Sequence, residues 1–168
     1  MLSIHVDGLR FDFPDDWLVS KYDEWDFYRH QFSRMWNGIK SLDLLAVDPK
    51  KTGWLIEVKD YRNYPRTKPS DLSDEIVRKV FDTLAALPPA RLNANNQSER
   101  GMAKAVLVAK KYRVILHLEQ PAKHSKLRPR AINPADIKQK LKQLLRPIDA
   151  HPFVSERAKM GSLVWSVN

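Results

Sequence analysis

The spacing of apolar residues changes period several times along the chain. Between Ser3 and Phe13, Ile4 and Val6, then Leu9, Phe11 and Phe13, alternate around Asp7-Gly8, which predicts a tight hairpin. From Tyr22 to Ile39 the apolar residues Trp25, Tyr28, Phe32, Met35, Trp36 and Ile39 recur at steps of three and four. That spacing predicts one helix with an aromatic buried stripe, ended by Asn37-Gly38. Two short apolar runs follow, Leu42 to Val47 and Trp54 to Val58, joined by the turn-rich segment Asp48 to Gly53. They read as an antiparallel hairpin that is apolar on both faces. Such strands sit inside a layered α/β domain, covered on two sides.

Tyr61 to Pro69 reads as an irregular basic loop. A helix is predicted from about Asp71 to Leu87, with Leu72, Ile76, Val80, Phe81, Leu84 and Leu87 as its stripe. Ser70 or Asp71 can cap it, and Pro88-Pro89 should stop it. Residues 90 to 103 are polar and read as a connector. Ala105–Ala109 and Arg113–Leu118 read as strands. A second basic loop covers 121–130. Asn133, Pro134 and Asp136 mark a helix start, and that helix should run to about Arg146. Leu163 to Val167 reads as a last edge strand. No repeat, low-complexity tract or shift in composition divides the chain. The expectation is one α/β domain over residues 1–168, with a mixed central sheet flanked by helices.

Charge sharpens this picture. The net charge is +9, yet residues 1–60 carry 8 basic and 11 acidic side chains, and residues 104–146 carry 12 basic and 2 acidic. A basic majority with an acidic island suggests a polyanion partner that approaches a negatively charged site. The absence of cysteine excludes disulfides, thiolate catalysis and cysteine zinc sites. No apolar run approaches a membrane span and no signal peptide is visible, so the expected setting is cytoplasmic, away from membranes.

The five glycines form no phosphate-binding loop, and no serine lies in a Gly-x-Ser-x-Gly elbow. The five histidines never pair at i, i+4, and His117-x-Glu119 reads as an exposed strand end. Asp43 with Glu57-Val58-Lys59 stands apart, because these charges lie at the ends of apolar strands. Burying unpartnered charge costs several kcal/mol, so a sequence serving stability alone would place aliphatic residues there. If the two strands align, Asp43, Glu57 and Lys59 converge. Two carboxylates and the Val58 carbonyl then offer hard oxygen ligands to Mg²⁺. The competing reading is a structural ion pair.

At these residues the sequence resembles the PD-(D/E)XK nucleases, the restriction-endonuclease-like superfamily. Their core runs helix, three-stranded meander, helix, strand, and the resemblance covers about residues 22–118. It implies a restriction-endonuclease-like sheet and Mg²⁺-dependent phosphodiester hydrolysis, with Mn²⁺ as an alternative ion. Asp43 and Glu57 would hold the metal with Val58, and Lys59 would serve the attacking water. A glutamate from the first helix would be Glu24, with Asp23 as a close alternative. Asp43 is preceded by Leu42 in place of the proline in the family's name. Only two strands of the meander are clear, and the Ser3–Phe13 hairpin is the candidate for the third.

Arg62, Arg66 and Lys68 in the first basic loop are candidate phosphate contacts, and Lys79 is a candidate neighbour of the site. Lys123, Lys126, Arg128 and Arg130 form a second candidate track. The expected partner is nucleic acid, DNA favoured over RNA, with a homodimer or partner protein needed for sequence-specific cutting. A non-catalytic nucleic-acid-binding module of the same fold, or a basic interaction protein with a structural Asp/Glu/Lys cluster, is the alternative.

Overall fold

Opposite faces of one central sheet bury two separate apolar clusters, and that division decides which face Asp43, Glu57 and Lys59 share. The computed structural model describes residues 1–68 and 70–168. β1 (Leu2–Val6) and β2 (Leu9–Phe13) form the expected hairpin, with Asp7 and Gly8 at φ 48° and 77°. Positive φ at both turn residues matches the right-handed twist of the flanking strands. The central sheet has the spatial order β3 (Leu18–Lys21), β4 (Leu44–Val47), β5 (Thr52–Asp60), β6 (Lys111–Glu119), β7 (Phe153–Ser155). β3, β4 and β5 form an antiparallel meander, and β6 and β7 then add in parallel.

Parallel neighbours need a crossover. From β5 to β6 the crossover carries α1 (Leu72–Asn93) and α2 (Gln97–Leu107); from β6 to β7 it carries α3 (Pro134–Leu144). Strand alternation then sorts the core. Leu45, Val47, Leu55, Val114, Leu116 and Leu118 pack with Ile76, Val80, Val106 and Leu141 of the helices. Leu44, Ala46, Ile56, Val58 and Ile115 pack beneath a second sheet of β1, β2 and β8 (Ser166–Val167). The fold is mixed α/β, with helices along one face of the central sheet and a small sheet on the other.

Several expectations need correction. The 22–39 segment is not one helix but three short turns, Tyr22–Glu24, Phe27–Gln31 and Phe32–Arg34. Extended backbone at Trp25 breaks it, and the Glu99 carboxylate on α2 starts the next turn by accepting from the Asp26 and Phe27 N–H groups at 2.8 and 3.2 Å. Tyr22 and Phe27 are buried in place of Met35 and Trp36, which are 72% and 74% exposed. These turns also lie between the first and second strands of the meander, not ahead of it. Its third strand is β3, while the N-terminal hairpin joins β8 in the separate sheet.

α1 runs through Pro88-Pro89 to Asn93. Each proline removes one intrahelical bond, but Leu87, Ala90 and Ala94 around them are buried, and that packing holds the helix. The polar stretch after it begins α2 at the Asn96 cap, and the apolar run expected as a strand at 105–109 starts as the last turn of α2. The strand β7 was not expected. Asp71 is the cap of α1, accepting from the Ser73 N–H at 2.8 Å. Pro69, the second proline of the basic loop, lies outside the described residues.

Candidate functional site

The ladder between β4 and β5 sets Leu44 opposite Ile56. One step further, Asp43 falls opposite Glu57, and opposed residues share a face. Asp43 is fixed there because its Oδ2 accepts the Val58 N–H at 2.7 Å. Glu57 and Lys59 lie on the same side, facing α1. Lys59 Nζ lies 2.8 Å from Glu57 Oε1, and Lys79 of α1 reaches the same oxygen at 2.5 Å. Glu75, one turn earlier on α1, lies 3.1 Å from Lys59 Nζ and accepts from Arg66 at 2.9 Å. The centre is therefore a chain of alternating charges, Lys79–Glu57–Lys59–Glu75–Arg66, with Asp43 beside Glu57.

Burial governs its electrostatics. Glu57 is fully buried, and burial together with the Asp43 charge pushes its carboxyl up to about 7, against the pull of Lys79 and Lys59. Asp43 is also raised, first by burial. Burial opposes the charge on Lys59, but Glu57 and Glu75 outweigh it and hold the ammonium protonated well beyond its usual range. Such a lysine can neutralise or orient; it is a poor acceptor of a proton from water. Burial works against Glu75 as well, yet Lys59, Arg66 and Lys68 bring it down to about 2.

Glu24 is not brought to this centre. It pairs with Lys21 at 2.6 Å, half exposed, and that contact lowers its pKa. The acid from this segment that feels Asp43 is Asp23, raised by burial and then by Asp43's charge. Among the described residues three buried carboxylate oxygens, Asp23 Oδ1, Glu57 Oε2 and Glu75 Oε1, accept no hydrogen bond; the last has the Lys59 ammonium at 3.1 Å, and the first two have no ion pair. Asp23 Oδ1 and Glu57 Oε2 are donors of the hard type that a divalent cation takes. Against this, no group of three histidine, cysteine or acidic side chains that could hold a metal occurs among the described residues. The two lysines on Glu57 Oε1 also place positive charge where a cation would have to sit.

The phosphate candidates divide. Arg62 is clamped by Asp60, with Nε and Nη2 at 2.9 and 2.6 Å from its two oxygens. Arg66 is spent on Glu75, Tyr61 and Ser70, and Lys68 lies 3.5 Å from Glu75. Arg130 binds Glu156 at 2.8 Å and the Pro121 carbonyl. Lys123, Lys126 and Arg128 are exposed and make no ion pair among the described residues. Ser125 and Arg128 close their turn with bonds of 3.1 and 3.0 Å. Arg62 and Asn63, following β5, meet Pro121, Ala122, Lys123 and Arg128, following β6, around a pocket of about 560 Å³. It opens beyond the carboxyl ends of two parallel strands, where open α/β sheets commonly bind ligands. A larger concavity of about 810 Å³ between α3 and the segment before β7 contains none of the candidate residues.

Sequence reasoning missed Glu75 and Glu99 and misread His117-x-Glu119. Glu75 and Glu99 are helix residues whose partners lie far away in sequence; only their place beside buried positions of an amphipathic helix marks them. His117-x-Glu119 is not an exposed strand end. His117 is fully buried, with Ser155 Oγ at 3.0 Å from Nδ1 and Glu119 Oε1 at 3.0 Å from Nε2. β7 and the Arg157 N–H, which donates to Glu119, cover that end of β6.

No family model matches the chain, and no solved structure matches it. A cysteine–tRNA ligase of Neisseria meningitidis serogroup A is 32% identical over 167 residues, covering 82% of this chain and 24% of that protein. The chain thus spans about a quarter of that relative's length. The match overturns the expected preference for DNA over RNA, because the relative is named for tRNA. The physical reason is that cations read phosphate, which both polymers carry, so charge pattern could not have made the distinction. Among the described residues no helix is long and apolar enough to cross a membrane.

Proposed function

We propose that this chain is an RNA-binding module built on a PD-(D/E)XK-nuclease-like core. The order of the meander β3–β4–β5, helix α1 and parallel strand β6, with Asp43 opposite Glu57, supports that core. The observation that carries the binding reading is the pocket where Arg62, Lys123 and Arg128 converge beyond β5 and β6. Arg62, held rigid by Asp60, keeps one guanidinium nitrogen for an oxyanion, and the other two cations are unspent. The tRNA-ligase similarity points to RNA as the polymer. The test is RNA affinity against salt. Exchanging Lys123 and Arg128 for glutamate should weaken binding and flatten the slope of log K against log salt by about two, roughly one per lost phosphate contact. An unchanged slope would mean that the pocket is merely solvated.

A second reading, Mg²⁺- or Mn²⁺-dependent phosphodiester hydrolysis, has its own support in the orphaned, buried Glu57 Oε2. In that reading Asp43, Glu57 and the Val58 carbonyl would hold the ion, which would supply an activated water. Lys59, kept protonated, would offset phosphate charge. Metal-dependent cleavage separates the two readings.

A further inference from the structure

Tyr64 follows the pocket residues Arg62 and Asn63 directly and is 82% exposed. Neighbouring Cα atoms are 3.8 Å apart, so its backbone lies one residue from the pocket lining. A tyrosine loses little by being buried and gains much area, so an exposed ring one residue from a cluster of three cations is within reach of a ligand that is flat and anionic. We infer that Tyr64 stacks an unpaired base of the RNA whose phosphate sits among Arg62, Lys123 and Arg128, and that the ligand is therefore single-stranded. The inference rests on the RNA-binding reading and deepens it.

Three features argue for single strand over duplex. Every base has a π-face, but in a duplex that face is covered by its neighbours, and a loop aromatic meets only sugar and phosphate edges. The pocket, about 560 Å³, has the scale of a small-ligand cleft rather than of a groove that tracks a helix. The cations around it come from the ends of two adjacent strands, a compact cluster rather than an extended stripe. Pairing a cationic cradle with one aromatic ring is the chemistry that holds a flexible strand without reading its sequence.

The experiment is fluorescence anisotropy at fixed salt with a labelled single-stranded RNA and with the same strand annealed to its complement. The intact chain should prefer the single strand. Tyr64→Ala should lower single-strand affinity by roughly 5- to 100-fold, Tyr64→Phe should retain it, and duplex affinity should not move, because stacking needs the ring and not the hydroxyl. Tyr64 is a surface residue, so circular dichroism should show both variants folded. Unchanged single-strand affinity in Tyr64→Ala, or an equal loss on duplex, overturns the stacking role while leaving RNA binding intact. An intact chain that binds neither RNA overturns both.

Discussion

Replacing Lys79 by methionine keeps most of the side-chain stem and removes one ammonium from Glu57. Glu57 is fully buried opposite Asp43, and its carboxyl is pushed up to about 7 from 4.5. A carboxyl whose folded pKa lies above its unfolded value holds its proton more tightly in the folded chain. It therefore lowers stability as pH rises from about 4.5 to about 7, by on the order of 3 kcal/mol, and the full cost stands above that range. Lys79 opposes this rise, so its loss pushes Glu57 higher still. Each further unit costs about 1.4 kcal/mol at high pH and nothing where the group is protonated in both states. With Lys59 still in place, Lys79→Met should destabilise by about 1–3 kcal/mol at pH 8.5 and by much less at pH 4.5. Urea unfolding across that pH range, followed by tryptophan fluorescence, measures the difference. A loss that does not change with pH would refute the coupling of Lys79 to Glu57.

Glu99→Ala leaves the Asp26 and Phe27 N–H groups without their acceptor and should cost about 2 kcal/mol in the same unfolding assay, with Glu99→Gln losing less. Asp43→Ala removes one negative charge from a chain that binds a polyanion, so RNA affinity should hold or rise; if the intact chain cuts RNA with Mg²⁺, this variant should bind and not cut. Weaker binding by Asp43→Ala, measured by anisotropy, would place Asp43 in the fold rather than in the site.

The centre of the sheet was legible because β4 and β5 are apolar on both faces, so acids at their ends could only be paired or functional. The Asp43–Glu57–Lys59 arrangement follows from alternation and one register. Its neighbours did not follow, because Lys79 and Glu75 enter through the rotation of α1, which spacing alone leaves open. The aromatic run at 22–36 misled: a step of three and four is the same whether the residues form one helix or three turns, and the choice was made by Glu99, far away in sequence. Pro88-Pro89 misled in the opposite sense. Local chemistry said stop, and burial of Leu87, Ala90 and Ala94 overrode it. The short strands β3 and β7 carry too few residues for any alternation to show.

The small sheet joins distant parts of the chain. Phe11 pairs with Val167, Arg10 and Asn168 exchange backbone hydrogen bonds of 2.9 and 2.8 Å, and Asn168 also donates to Asp12, 156 positions away. This sets an order of assembly. The hairpin, the meander and the β5–β6 crossover can each form from contiguous stretches. The strand that completes the cover over Leu44, Ala46, Ile56 and Ile115 arrives only when the far end returns. Closing so long a loop from a disordered chain costs about 4–5 kcal/mol, and far less once the rest is in place. Docking of β8 should therefore come late in folding, and until it does Trp165 is missing from a half-covered apolar face that is open to association with another copy.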